Sequence, residues 1–231
     1  MINNSEQHEF TIEQDSTKNT YTIYLKDKNR SLLLSFIKTG ILLGATISHQ
    51  YQSITFSATT VEPFLKQKNK KINTKTKNKH ETALQIFYYL SKQFKYLIEN
   101  QKKCFFQIKP ENILIIDNRK FIYVSSEDLL DITDNKYLTI YKPFSKNQYD
   151  SPEIQELTYI PSTNITYKTI YYSLGIYIQS FLSTQALTQE LSQSSTQNIT
   201  HLLDHIKGTK LFYALERSLQ KDHELRTLLF I

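Results

Sequence analysis

The sequence predicts an α+β fold, with a β-rich first part of about 60 residues and a mainly helical remainder. Three observations carry this: short β-type runs before residue 60, a Lys/Asn/Thr-rich break after it, and a change to helical spacing from Glu81. The expected organisation is a β-rich part over 1–64, a basic flexible linker over 65–80, and a helical part over 81–231.

In "FTIEQDSTKNTYTIYLKDKN", Phe10 to Glu13 and Thr20 to Lys26 are extended candidates joined by a Ser/Thr/Asn turn. "SLLLSFI" and "YQSITFSA" read as further β-type segments. From Glu81 the period changes, and Ala83, Phe87, Leu90, Phe94 and Leu97 recur at spacings of four, three, four and three. That pattern places them on one face of a helix ending near Asn100. "NILII" and "KFIYV", either side of Asp117-Asn118, read as a hairpin and precede a loop-rich stretch. "TIYYSLGIYIQSFL" is apolar on every side and so reads as a buried helix. "NITHLLDHI" and "KLFYALERSL" read as amphipathic helices separated by Gly208.

With 39% apolar and 13% aromatic residues among 231, the chain has ample material for a core. Ser31 to Ile47 is too short to span a bilayer and is broken by Lys38, Gly40 and Gly44, and Met1-Ile2-Asn3-Asn4 begins no signal peptide. The expectation is a soluble intracellular protein, in the cytoplasm or, if viral, the host cytoplasm or virion, without membrane insertion. Cys104 is the only cysteine and the six histidines show no ligand spacing, so neither a disulfide framework nor a structural metal is expected, and no cofactor is assigned. Four glycines beside 16 tyrosines suggest an AT-rich genome, compatible with a large DNA virus, a parasite or a symbiont.

The net charge of +6 is local. Lys66, Lys68, Lys70, Lys71, Lys75, Lys77 and Lys79 fall in one acid-free run, and without them 21 basic residues face 22 acidic ones. Such a run reads as a solvated loop; its functional alternative is contact with nucleic acid or another anionic surface.

From about Glu81 onward the chain resembles the large lobe of the protein kinase superfamily. "IKPENILI", Ile108 to Ile115, resembles the second half of the kinase catalytic loop and the strand leaving it, and it follows a long helix and precedes a hairpin. "YDSPE", Tyr149 to Glu153, resembles the Ala-Pro-Glu motif, and "YYSLG" resembles the start of the central helix. "KDHELRTLLFI" resembles the closing Asp-Pro-x-x-Arg-x-Thr element, and the resemblance implies that Arg226 pairs with Glu153.

The residues that phosphoryl transfer requires do not follow. Aligned on Lys109-Pro110-Glu111-Asn112, the His-Arg-Asp triplet becomes Phe105-Phe106-Gln107. An amide cannot accept a proton near neutral pH, so Gln107 cannot act as a general base. The Asp-Phe-Gly triplet becomes Ser125-Ser126-Glu127, leaving Asn112 beside a neutral serine, unless Glu127 or Asp128 reaches the metal position. Gly40 and Gly44 form no phosphate-cradling loop, and no acid between Asp27 and Glu62 is present to hold Lys26, the nearest candidate for a phosphate-positioning lysine. Lys109, Glu111 and Asn112 are then vestiges of the motif, with Glu111 and Asn112 expected to brace the loop by hydrogen bonds.

The expectation is a pseudokinase: a kinase-like protein without catalysis that binds a protein partner as a scaffold or regulator. Two alternatives are a divergent active Ser/Thr kinase using Glu127 or Asp128 for metal, and a binder of nucleic acid or anionic surfaces through the lysine run.

Overall fold

The structure is a computed structural model that describes residues 9–66, 76–183, 201–229 and 231. Its first layer is an antiparallel sheet of β1 (Phe10–Asp15), β2 (Thr20–Leu25), β3 (Thr46–Ile47) and β4 (Ser53–Ser57), in the order β1-β2-β4-β3. Alternate residues of β2 and β4, namely Tyr21, Ile23, Leu25, Ile54 and Phe56, are buried, as a half-buried sheet requires. The β1–β2 turn is held by Asp15, whose Oδ1 accepts from the Thr17 backbone N–H at 3.0 Å and its hydroxyl at 2.6 Å.

"SLLLSFI" corrects one expectation, since it forms helix α1 (Arg30–Lys38) and not a strand. Asn29 Oδ1 accepts from the Leu32 N–H at 3.0 Å, and Leu32, Leu33 and Phe36 all bury on one face. A short aliphatic run fits a strand or a helix equally well. The cap and the spacing of Leu32, Leu33 and Phe36 decide for the helix.

The second lobe is built on α2 (Thr76–Gln101), which begins five residues before Glu81 and carries Ala83, Phe87, Leu90, Phe94 and Leu97 buried as the spacing predicts. It packs against α1, the hairpin of β7 (Ile113–Ile116) and β8 (Lys120–Tyr123), and α4 (Thr169–Leu182). Asp117 and Asn118 turn that hairpin at φ of 52° and 57°. Strand β5 (Val61–Pro63) leaves the first lobe and extends the hairpin, Val61 opposite Ile116.

The stretch read as loop-rich supplies three strands of a second four-stranded sheet, the fourth coming from before the hairpin. Its strands are β6 (Lys103–Phe105), β9 (Leu129–Thr133), β10 (Tyr137–Ile140) and β11 (Ser162–Thr166), in the order β11-β10-β9-β6. Asp134 and Asn135, at φ of 51° and 55°, supply the β9–β10 turn and were the available signal.

The short α3 (Pro152–Gln155) precedes α4, which is buried along most of its length, and α5 (Lys210–Ser218) packs on it. A Cβ on Gly175 would lie 2.8 Å from the Leu219 and Ser218 side chains, so glycine permits that contact. In "NITHLLDHI", His201–Ile206 is a 3₁₀ turn and not the expected α-helix, while 198–200 lie outside the described residues. Among the described residues no helix is long and apolar enough to cross a membrane.

Candidate functional site

The Pro110–Asn112 turn and the end of β8 bring Lys109–Asn112 and Ser125 together beside the start of β1. Pro110 fixes the turn, and Asn112 closes it by donating its N–H to Lys109 O at 3.0 Å and accepting from Val124 N–H at 2.9 Å. Glu111, expected to brace the loop, is exposed, and Asn112 does that work.

Phe105 and Phe106 enter the core. Phe105 meets Tyr123 edge-to-face at 4.7 Å and Phe94 at 5.4 Å, and Phe106 meets Phe144 at 5.0 Å. Gln107 is fully buried and donates from Nε2 to Asp128 Oδ1 at 2.9 Å. The Lys109 ammonium donates to the same oxygen at 2.9 Å. Asp128, one of two acids considered for metal binding, is therefore held by the amide at the base position and by the loop lysine. Glu127, the other, is half exposed and paired with Lys26 at 3.5 Å.

Ser125 Oγ lies 2.8 Å from Asp128 Oδ2, and 2.8 and 3.1 Å from the two carboxylate oxygens of Glu9. One hydroxyl proton serves one acceptor at a time, so Ser125 links two carboxylates without neutralising either. Glu9 also accepts from the Ser126 and Glu127 backbone N–H groups at 2.9 and 3.2 Å and from Asn112 Nδ2 at 3.2 Å, with Lys109 Nζ 3.9 Å away. Sequence reasoning missed Glu9 because an acid just before a strand matches no motif. Its position follows from the β1–β2 register: Phe10 faces Leu25, and Glu9 O accepts from Lys26 N–H at 2.9 Å, which aims the end of β1 at the cleft.

Burial alone would lower the Lys109 pKa, but Asp128, with help from Glu9 and Glu127, raises it above the ordinary lysine value. Tyr123 accepts from the Lys109 N–H at 3.0 Å, and burial and the Asp128 charge hold its phenol protonated. Asp150 lies behind this cluster, its Oδ2 accepting from Asn147 N–H at 2.8 Å and its buried Oδ1 lacking a hydrogen-bond partner. Burial pushes its carboxyl up to about 6 against the Asn147 hydrogen bond, and Asp128 adds to the rise.

At the far side, Glu153 and Arg226 form a bidentate pair, Nη1 with Oε1 and Nη2 with Oε2, the second at 3.0 Å. Arg226 is fully buried, donates from Nε to Gln220 O at 2.7 Å, and lies 4.8 Å from the Tyr172 ring centre. Of the lysine run, Lys66 is exposed, and Lys79 donates to Leu182 O at 3.1 Å and Ser183 O at 2.9 Å at the end of α4. Lys68, Lys70, Lys71 and Lys75, and the side chain of Lys77, lie outside the described residues.

A magnesium–nucleotide site needs carboxylate oxygens turned toward metal and phosphate. Each oxygen of Glu9 and Asp128 instead lies within hydrogen-bond reach of an N–H or O–H donor. Among the described residues no three His, Cys, Asp or Glu side chains group as a cation site. In this arrangement the Glu9 and Asp128 carboxylates are turned to protein donors.

Neither a protein-family model nor a curated protein sequence matches the chain. Among solved structures, the chain is similar to a rhoptry kinase from Toxoplasma gondii, with a TM-score of 0.52 and 11% identity over 96% of this chain and 72% of that one. The architecture is therefore kinase-like: a β-rich N-terminal region and a helical C-terminal part.

Proposed function

We propose that the protein is a pseudokinase, a kinase-like scaffold that works by binding a protein partner and not by phosphoryl transfer. The observation that carries the reading is the hydrogen-bonded cluster of Gln107, Lys109, Ser125, Asp128 and Glu9. The sequence resemblance aligns Gln107 with the base and Ser125 with the metal carboxylate, and the reading is supported by both being neutral groups engaged with Asp128 or Glu9. A positioned base contributes about 10²- to 10⁴-fold in rate, and a metal adds several kcal/mol more. With both roles vacant, little transfer is expected.

A second reading has one observation in its favour: Asp128 brings a buried carboxylate within 2.9 Å of Gln107. In that case the chain is a divergent Ser/Thr kinase that uses Asp128, one of the two acids considered for that role, to hold metal. A radiolabelled phosphate-transfer assay with Mg²⁺ and Mn²⁺ separates the two. No turnover is expected; turnover abolished by Asn112→Ala and by Asp128→Asn would establish the second reading and end the first.

A further inference from the structure

Glu9 differs from the rest of the cluster in where its partners come from. The donors that meet its carboxylate among the described residues all belong to the large lobe: Asn112 Nδ2 at 3.2 Å, Ser125 Oγ at 2.8 Å, and the Ser126 and Glu127 N–H groups at 2.9 and 3.2 Å. Two successive backbone N–H groups converging on one oxygen form the concavity that receives anions in many proteins, and its donors do not depend on side-chain identity. The nearby cations lie closer to other acids, Lys109 2.9 Å from Asp128 against 3.9 Å from Glu9, and Lys26 3.5 Å from Glu127. The remaining donors are left to a single carboxylate supplied by the first strand.

We propose that the Asn112 and Ser125–Glu127 elements form an oxyanion site of the large lobe, and that Glu9 is its resident ligand, excluding an external oxyanion while β1 is seated. The site takes a singly charged oxyanion such as a carboxylate. Asp128 Oδ2 lies 2.8 Å from the same Ser125 hydroxyl, so a second negative charge on the guest would meet it directly. This rests on reading the cleft as non-catalytic, but the test below does not measure phosphate transfer and so fails or succeeds independently of that reading.

The full chain, Glu9→Ala and Glu9→Ser are melted in sodium acetate, sodium phosphate and sodium chloride of matched ionic strength at pH 8. Amide shifts of Ser126 and Glu127 are followed by NMR. The wild type should be indifferent to acetate. Each variant should melt lower in chloride and regain half or more of that loss in acetate, with a saturating dose response and movement of both amides. Phosphate should regain less. The proposal is overturned by no saturable regain in either variant, including a variant that stays unfolded in both anions. Equal shifts in wild type and variants, which would mark a general salt effect, overturn it too. Rescue by phosphate as strong as by acetate overturns the assignment of a singly charged guest.

Discussion

Two buried ionic clusters divide the labour in this molecule. The Glu153–Arg226 pair joins the segment before α4 to the C-terminal tail, and every part of it serves the fold: a bidentate fork, two carbonyl acceptors, and the Tyr172 ring beneath the guanidinium. The interlobe cluster holds more acids than bases, with Glu9, Asp128 and the half-exposed Glu127 sharing Lys109 and Lys26. Charge at the clamp is matched one to one. Charge at the cleft is uneven, with Gln107 and Ser125 as neutral donors and Glu9 reaching in from the start of the first sheet. The clamp sets one buried cation against one carboxylate, whereas the cleft spreads three acids over two lysines and a set of neutral donors, so removing one partner should strand a charge only at the clamp.

That contrast is tested first at the clamp. Glu153→Ala leaves a fully buried guanidinium with only carbonyl partners, and an uncompensated buried charge costs about 3 to 5 kcal/mol. Urea unfolding should show the midpoint falling by that equivalent with an unchanged slope. A loss below about 1 kcal/mol would mean that the clamp is no more structural than a surface pair.

In the cleft, Glu9→Ala removes the acceptor of two backbone N–H groups, the Asn112 amide and the Ser125 hydroxyl. Leaving these part-buried donors unpaired should cost about 2 to 3 kcal/mol by the same measurement, less than the clamp because no lone charge is stranded. A loss equal to the clamp's would erase the distinction drawn above.

Asp150 sharpens the comparison from the opposite side, since burial of its carboxyl outweighs the Asn147 hydrogen bond and the attraction of Lys109 and Lys146. Its folded pKa of about 6 lies above the unfolded value of 3.8, so the folded state holds the extra proton between them. Stability therefore falls as pH rises through that window and stays reduced above it. Asp150→Asn, which keeps an oxygen for the Asn147 N–H, should stabilise the protein at pH 7.5 by at most about 3 kcal/mol and have no effect near pH 3.5. A stabilisation that does not change with pH would show that the carboxylate is not the strained group.

How much of this was legible depended on whether a feature is local. The α2 helix and the β7–β8 hairpin could be read because each carries its period or its turn within a dozen or so residues, and Glu153–Arg226 because both ends lie in recognisable motifs. The β6–β9–β10–β11 sheet could not, because strands of three to five residues pair across long stretches and show little alternation alone. "SLLLSFI" was ambiguous until Asn29 and the burial of Leu32, Leu33 and Phe36 selected the helix. Glu9 was the least legible residue of the site. Its role comes from a strand register that aims it at a loop more than 100 positions away, and no spacing in the sequence encodes that.

The smallest effect concerns Lys79, which the sequence grouped with a run of solvated lysines. Its ammonium donates to the Leu182 and Ser183 carbonyls, two acceptors at the C-terminal end of α4, where the helix dipole favours a cation. It also lies 5.9 Å from the Phe181 ring centre. Lys79→Met keeps much of the stem's apolar length and removes the donor, so the loss should be about 0.5 to 1 kcal/mol and should shrink as salt is added. Lys66→Met, at an exposed position, should leave the midpoint unchanged. Equal, near-zero effects would return Lys79 to the solvated run; a salt-sensitive loss at Lys79 alone assigns it to the core of the large lobe, where it ties the start of α2 to the end of α4.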